Sequence, residues 1–175
     1  MGRKACKDYS DRLRHSAKGL YREGLRLKRA FKTRKLQPKD IPQIIAIQEA
    51  ILKRKVSRKW VQMVENHLQK RDRISFAVSQ GGQVVGFIIG EIKGEGFGLE
   101  QSGWIEVVGV HPSQMGIGIG KALAERLFGF FRKRGVRDVY TAVRWDAVDM
   151  LSFFKSLGFD RSPFINLIKH VAQRG

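Results

Sequence analysis

Apolar residues recur three or four positions apart in five segments of the chain, which is the spacing of one face of a helix. The first segment carries basic residues on its other faces, so it predicts a basic amphipathic helix. Ser57 suits the start of the third helix because its hydroxyl can cap the first turn, and Gly135 and Gly158 suit the ends of the last two. The predicted helices cover residues 8–31, 38–51, 57–68, 121–134 and 149–157.

The segments between these helices are rich in β-branched and aromatic residues, which favour strands. A tight turn at residues 80–83 joins two strands into a hairpin, and a glycine-rich loop at residues 93–103 follows it. Pro112 ends the next strand, because proline cannot continue a central ladder. The predicted strands cover residues 33–37, 74–79, 84–92, 104–110, 138–144 and 164–171. This order predicts a mixed α/β (α+β) domain.

Positive charge is concentrated at the start of the chain. The net charge is +18, and residues 1–36 hold 13 Lys/Arg against 3 Asp/Glu, a net of +10. We therefore expect a basic, helical N-terminal extension over residues 1–32 and a compact domain over residues 33–175. The extension suits contact with a polyanion such as nucleic acid or the ribosome. An anionic membrane, a protein partner, a transit peptide and a solubilising tail remain open.

Composition argues against several classes of protein. The longest apolar run, near residues 84–89, is too short to span a membrane, so no membrane span is expected. No charged-then-apolar leader follows Met1, which argues against secretion. Cys6 is the single cysteine, and the four histidines show no ligand spacing, so no metal is expected. A reducing, cytoplasmic location fits these features best.

The glycine-rich turn at residues 115–120 carries the first candidate chemistry. It follows a predicted strand and precedes a predicted helix. Its free backbone N–H groups and the positive end of the helix dipole therefore point toward one place. Such a turn is an anion site, and a phosphate fits it. Glycines let the anion approach the backbone with no Cβ in the way.

Two other phosphate-binding motifs do not match this turn. A P-loop would need a glycine where the chain has Met115 and a serine or threonine where it has Ala122. A dinucleotide fingerprint would need a different glycine spacing in the first strand-turn-helix unit of its domain. A helix start that is merely rich in glycine remains the plain alternative.

Together with Val110-His111-Pro112 before the turn and Leu123 after it, the block Phe153-Phe154-Lys155-Ser156-Leu157-Gly158-Phe159 resembles the GNAT superfamily of acyl-CoA-dependent N-acetyltransferases. The resemblance covers the chain from about Thr33 onward. It implies a mixed, mostly antiparallel central sheet with helices on both faces. It also implies acetyl-CoA as co-substrate, with its pantetheine arm along a strand edge and its pyrophosphate on the turn. The residues expected to contact it are Val108, Val110, Met115, Gly116, Ile117, Gly118, Ile119, Gly120, Lys121 and Phe154.

The chain departs from the family pattern at three positions. The family usually has Gln or Arg where Met115 stands, and Gln114 is the nearest substitute. Its usual Tyr, the proton donor to the leaving thiolate, falls on Phe154, and its Asn falls near Asp146. Cofactor binding is expected to survive these changes because the backbone supplies it, whereas the acid step loses its usual donor.

An amine acceptor must lose a proton before it attacks a thioester, because amines are mostly protonated at neutral pH. Glu106, on the strand that leads into the turn, is the candidate base. Tyr140 is a candidate acid, with water or a packing role as alternatives, and a backbone N–H near Val108 is the candidate oxyanion donor. Three further carboxylates either attract a cationic amine or are ordinary solvated groups: Glu91, Glu95 and Glu100.

The leading function is therefore acetyl transfer from acetyl-CoA to a primary amine by direct attack in a ternary complex. The alternatives are a non-catalytic acyl-CoA-binding module, suggested by Phe154, and attachment to nucleic acid or ribosome through the basic extension. The acceptor stays open among protein N-termini, lysines, polyamines, amino acids and antibiotics, and a homodimer stays open as well. Trp145 could line the acceptor pocket, but core packing is expected.

Overall fold

The computed structural model describes residues 31–70, 73–94 and 101–169. The basic helix predicted within residues 8–31 lies outside these ranges except for Phe31, and so do Glu95 and Glu100. The chain forms two compact units, one ending at Thr141 and the other beginning at Ala142. Phe31 is buried and β-structure begins at Lys32, directly before the expected start of the compact domain.

The described part of the first unit is built on a five-stranded sheet. Its strands follow one another in space as they do in sequence, in the order β1-β2-β3-β4-β5. The first four strands pair antiparallel, and β5 pairs with β4 in parallel. The expected mixed, mostly antiparallel sheet is thereby confirmed. The strands are β1 (Lys32–Lys35), β2 (Arg73–Gln80), β3 (Gln83–Lys93), β4 (Ser102–Val110) and β5 (Asp138–Thr141).

Among the described residues of this unit, three α-helices cover the sheet. They are α1 (Ile41–Leu52), α2 (Arg58–Gln69) and α3 (Ile119–Lys133). The Ser57 hydroxyl accepts a hydrogen bond from the Trp60 N–H at 3.2 Å, which caps the start of α2 as predicted. Gly135 has a φ of +76° just beyond α3, which is the left-handed conformation that glycine adopts most easily at a helix end.

The face of the sheet toward α1 and α2 holds a continuous apolar core. Phe87 and Ile89 of β3 point into this core, and the Trp60 ring meets the Phe87 ring edge-on. Successive residues of a strand point to opposite faces, so Gly86 and Gly90 face the other way, toward α3. The buried residues of the core are Leu36, Ile44, Ile47, Val64, Ala77, Val84, Phe87 and Ile89.

Three glycines of the sheet lie directly against the helix α3, beside buried side chains such as Phe76. A Cβ on Gly86 would come 2.7 Å from Ile119 Cγ2, and one on Gly90 would come 2.9 Å from both Leu127 Cδ atoms. A Cβ on Gly103 would come 2.8 Å from the Phe131 ring. The glycines therefore let the fully buried face of α3 sit directly on β3 and β4.

A buried carboxylate joins β1 to the start of α1. The Arg34 guanidinium donates two hydrogen bonds to Asp40, at 2.6 Å to Oδ2 and 2.9 Å to Oδ1. The Gln37 N–H donates to Asp40 Oδ2 at 2.8 Å. These bonds, first of all the one from Arg34, hold the pKa of Asp40 below its usual value.

The second unit contains the helix α4 (Val148–Ser156), followed by Gly158 with a φ of +88°. Within this unit the Phe154 ring is buried and meets the rings of Phe153 and Phe159 at centroid distances of 5.1 and 5.2 Å.

Three expectations about this part of the chain were wrong. Residues 164–169, the described part of the last predicted strand, form no strand, because their apolar side chains are exposed and their backbone joins no ladder of the described residues. The strand expected to reach Arg144 ends at Thr141. Trp145 is 79% exposed, with the Arg161 guanidinium 5.7 Å from its ring, and does not pack in a core.

We expect Gly90→Ala to destabilise the first unit by about 1–3 kcal/mol, because the new methyl group collides with Leu127 and Phe131 in a closed interior. Gly94→Ala is the matched control, since a Cβ at Gly94 meets nothing within 4 Å. Urea unfolding of both variants measures the difference. Equal midpoints for the two variants would show that α3 does not rest on this glycine.

The Arg34–Asp40 pair should also make folding sensitive to acid. The pKa of Asp40 is lowered in the folded state, and the unfolded value is about 3.9. The pair therefore adds stability at pH above that value and loses it as pH falls through the lowered pKa. The free energy of unfolding of Asp40→Asn should vary less with pH in this acid range. Asp138→Asn, at an exposed position, should retain the wild-type slope.

Candidate active site

The strand β4 has one edge that is only partly paired. It pairs with β3 along its whole length, but with β5 only from Ser102 to Ile105. At the point where the two strands part, the Thr141 hydroxyl donates a hydrogen bond to the Ile105 carbonyl at 3.1 Å. Beyond Ile105 no described strand pairs with the outer edge of β4.

The backbone groups of Val108 and Val110 face this open edge. The His111 N–H donates to the Val85 carbonyl of β3 at 2.9 Å, so His111 points its backbone toward β3. Backbone direction alternates along an antiparallel ladder, so Gly109 also faces β3 while Val108 and Val110 face away from it. An extended chain with amide groups can therefore add to β4 at these two residues.

The glycine turn follows directly from this edge. A short 3₁₀ helix covers Pro112–Gln114, and α3 begins at Ile119. Gly116 and Gly118 have φ values of +81° and +93°, and a Cβ at either would meet nothing within 4 Å. The turn therefore needs glycine for its backbone conformation and leaves open space above both residues.

The start of α3 offers donors to this space. The first hydrogen bond into the helix runs from the Ala122 N–H to the Gly118 carbonyl at 3.0 Å. The N–H groups that precede Ala122 are those that a helix start leaves without intrahelical acceptors, and the helix dipole adds positive potential there. Ile119 anchors the turn in the core, whereas Met115, Ile117 and Lys121 are exposed around it. The turn therefore has the geometry of an anion site.

A β-bulge lies two residues before Val108. Ile89 of β3 pairs with Val107, but its neighbour Gly90 pairs with Ile105, so Glu106 is an extra residue in β4. A bulge changes the direction of the side chain at the extra position. The Glu106 Oε1 lies 2.9 Å from the Lys93 Nζ, and the two side chains are 35% and 43% exposed.

A row of side chains crosses four strands beside Glu106. Arg73 pairs with Glu91, Glu91 with Trp104, and Trp104 with Tyr140. The Arg73 Nε donates to Glu91 Oε1 at 2.9 Å, and the Trp104 and Tyr140 rings stack with centroids 5.4 Å apart. Sequence reasoning selected Glu106 and Tyr140 but gave Trp104 no role. In the structure the Trp104 ring stacks on Tyr140, and Lys93 contacts both Trp104 and Glu106.

Lys93 was also missed. Its Nζ lies 4.3 Å from the centroid of the Trp104 ring as well as beside Glu106. Alternation along the hairpin could have placed Lys93 and Trp104 on one face, but it gives no sign of the bulge that turns Glu106 toward them.

His67 of α2 lies close to the same charges, yet it is a core residue. Its side chain is 2% exposed, and its Nε2 lies 3.4 Å from the Ile74 carbonyl oxygen. Burial, with a smaller contribution from Arg73, lowers the pKa of His67, although Glu91 and Glu106 act in the opposite direction. The buried imidazole therefore belongs to the core and not to the candidate site.

The remaining predicted positions belong to the second unit. Phe154 is 4% exposed and enclosed by aromatic rings, so its role toward a cofactor stays a prediction. Asp146 is exposed and accepts a hydrogen bond from Arg144 Nε at 2.8 Å, and that pairing lowers the pKa of Asp146. Of the hairpin carboxylates, Glu91 forms an ion pair with Arg73.

A depression of about 430 Å³ lies along α2 and shares Arg73 with the row. None of the residues predicted for the site lines it, and its walls carry polar and basic groups. The lining residues are Lys59, Gln62, Met63, Asn66, Gln69, Lys70 and Arg73. The open β4 edge and the glycine turn are therefore surface features outside this depression.

Comparison with known proteins identifies the family. Residues 41–159 match the model of the Acetyltransferase (GNAT) family, and the chain belongs to this family. The match contains the open edge, the glycine turn and Glu106, and acetyltransferases of this family use acetyl-CoA.

The chain is also similar to individual members. It is 33% identical over 85 residues to the mycothiol acetyltransferase of Renibacterium salmoninarum. The matched segment covers 49% of this chain and 25% of that protein. The chain therefore spans only a small part of this curated relative. A further relative is the mycothiol acetyltransferase of Amycolatopsis mediterranei, 34% identical over 89 residues, covering 49% of this chain and 30% of that one.

Solved structures share the fold. The aminoglycoside N-acetyltransferase AAC(6')-Iy in complex with CoA matches with a TM-score of 0.71 at 15% identity, covering 81% of this chain and 95% of that one. At this identity the likeness concerns the fold alone. Within the described ranges no helix is long and apolar enough to cross a bilayer, and no three potential metal-ligating side chains are grouped together.

We expect Gly118→Asp to abolish CoA binding, because it places a carboxylate among the donors that are predicted to hold the pyrophosphate. Gly118→Asn is the matched control: it has the same shape and backbone cost but no charge, and Asn tolerates positive φ. Calorimetry with CoA measures both variants. If both variants are folded by circular dichroism and bind CoA with equal affinity, the turn does not hold the pyrophosphate.

Proposed function

We propose that the chain is an acyl-CoA-dependent N-acetyltransferase that transfers the acetyl group of acetyl-CoA to a primary amine by direct attack in a ternary complex. The observation that carries this proposal is the continuity of the open β4 edge at Val108 and Val110 with the glycine turn at the start of α3. The strand edge can hydrogen-bond to the amide groups of a pantetheine arm, and the adjacent anion site can hold the pyrophosphate that follows this arm.

The residues present fit this co-substrate. The N–H groups of Gly116 to Gly120 would hold the pyrophosphate, with the cation of Lys121 nearby and the Met115 side chain beside it. Val108 and Val110 would bind the pantetheine amides as an added strand does. Acetyl-CoA, when bound, supplies an activated thioester carbonyl carbon.

Glu106 is the proposed base, acting directly or through water. Glu106 lies at the bulge two residues before Val108, and its side chain is neither buried in the core nor fully solvated. An amine acceptor is a cation at neutral pH, and a carboxylate beside it can take its proton. Lys93 must leave Glu106 for this to happen, because its Nζ now lies 2.9 Å from Oε1.

Two further groups complete the proposed chemistry. The Val108 N–H points away from β3, so it can donate to the oxyanion that attack on the carbonyl creates. Tyr140, stacked on Trp104 next to the base, is the proposed proton donor to the leaving thiolate, with water as the alternative. Phe154 has no proton to give.

A non-catalytic acyl-CoA-binding module is the second candidate, and Phe154 at the usual tyrosine position favours it. Turnover separates the two: incubation with acetyl-CoA and a panel of amines, read by product mass, gives acetylated amine only if the chain is an enzyme. The mycothiol acetyltransferases that the chain resembles in sequence and the aminoglycoside acetyltransferases that share its fold differ in acceptor, which leaves the acceptor of this chain open. Contact of residues 1–36 with a polyanion, a homodimer and a cytoplasmic location remain predictions.

We expect Glu106→Gln to lower the turnover rate by roughly 100-fold or more, because it keeps the shape of the side chain and removes the proton acceptor. The affinity for acetyl-CoA should barely change, since the backbone supplies that contact. Glu49→Gln removes the carboxylate on α1 that pairs with Lys55, and it is the control for loss of a carboxylate elsewhere.

Steady-state kinetics over a range of pH and calorimetry with acetyl-CoA measure the two effects. A loss of less than about threefold in rate, with an unaltered pH profile, would mean that Glu106 is structural and that water or another group removes the proton.

A further inference from the structure

One ammonium group of the chain lies in the middle of the proposed catalytic surface. The Lys93 Nζ is 2.9 Å from Glu106 Oε1 and 4.3 Å from the centroid of the Trp104 ring. The face of an indole ring and a carboxylate are the two groups that bind an organic ammonium ion most directly. Both contacts are therefore those that an acceptor ammonium would make at Glu106.

The surrounding groups favour a site of this shape. The Trp104 Nε1–H donates to the Ser102 hydroxyl at 3.1 Å, and the Tyr140 ring stacks on the indole, so the aromatic wall is held from two sides. The neighbouring carboxylate Glu91 is already bonded to Arg73. Glu106, beside this row, is thus the carboxylate that is paired with a lysine.

The Lys93 contact is the more easily broken of the two ion pairs. Its side chain is 43% exposed, against 20% for Arg73, and Glu106 is 35% exposed, against 22% for Glu91. Exposed lysine–carboxylate pairs stabilise proteins only weakly. A ligand ammonium can therefore displace Lys93 without disturbing the fold.

We propose that the Trp104 ring and the Glu106 carboxylate form the subsite for the ammonium group of the acceptor, and that Lys93 occupies this subsite until the acceptor displaces it. The inference rests on the proposed function, in which an amine accepts the acetyl group. It also narrows the acceptor class. The group that fills the subsite is a primary ammonium on an unbranched alkyl stem, so acceptors of that form fit better than α-branched amines.

Binding of a small probe tests this proposal without turnover. The probe is n-butylammonium, and n-butanol is its neutral counterpart. The readout is the indole N–H resonance of Trp104 in NMR spectra of the full chain, assigned with Trp104→Phe. We expect a saturable shift with n-butylammonium and none with n-butanol. An equal response to both compounds, or none to either, would overturn the proposal.

The decisive variant is Lys93→Met, which keeps an unbranched stem and removes the ammonium. It should bind n-butylammonium about fivefold or more tightly than the wild type, because no internal cation competes. Lys55→Met, which also removes the lysine of a lysine–glutamate pair, is the matched control and should change nothing. Unchanged or weaker binding by Lys93→Met would show that Lys93 does not compete for the subsite.

Acetyl-CoA calorimetry and the amine-panel assay on the same preparations keep the two proposals apart. Tighter n-butylammonium binding by Lys93→Met without any acetyl transfer supports the cation subsite and contradicts the enzyme. Acetyl transfer by a chain whose Lys93→Met variant binds n-butylammonium no better contradicts the subsite and leaves the enzyme standing.

Discussion

The close packing of α3 on the glycines of β3 and β4 constrains the rest of the candidate site. Gly86 pairs with Val110, the last residue of β4, and its backbone lies within van der Waals reach of Ile119, the first residue of α3. The end of β4 and the start of α3 must therefore both lie next to Gly86 of β3. The turn between them is short, needs positive φ at Gly116 and Gly118, and places its N–H groups beside the open edge of β4.

The two halves of the site differ in their chemistry. The proposed co-substrate half consists of backbone groups: the outward N–H and C=O groups of Val108 and Val110, and the donors of the glycine turn. The proposed acceptor half consists of side chains: Glu106 at the bulge, the Trp104 ring and the Lys93 ammonium. Backbone sites tolerate changes of side chain, which is why substitutions such as Met115 need not abolish binding of the co-substrate.

Local signals in the sequence predicted much of the fold. Ser57 marked the start of α2, and the glycines after α3 and α4 marked where those helices stop, because capping and positive φ depend on neighbouring residues only. The segment at 164–169 is apolar enough for a strand, but a strand also needs a partner edge, which the local pattern cannot supply. The bulge at Glu106 likewise depends on pairing with β3, so the contact between Glu106 and Lys93 could not be predicted from spacing.

The central claim is that the open β4 edge and the glycine turn form one acyl-CoA site. Titration of the full chain with CoA, followed by backbone amide NMR, tests it most directly. The account predicts saturable shifts concentrated at Val108, Val110 and residues 116–121, with little change along α2. Shifts concentrated on the α2 depression, or no saturable shift in the turn, would contradict it.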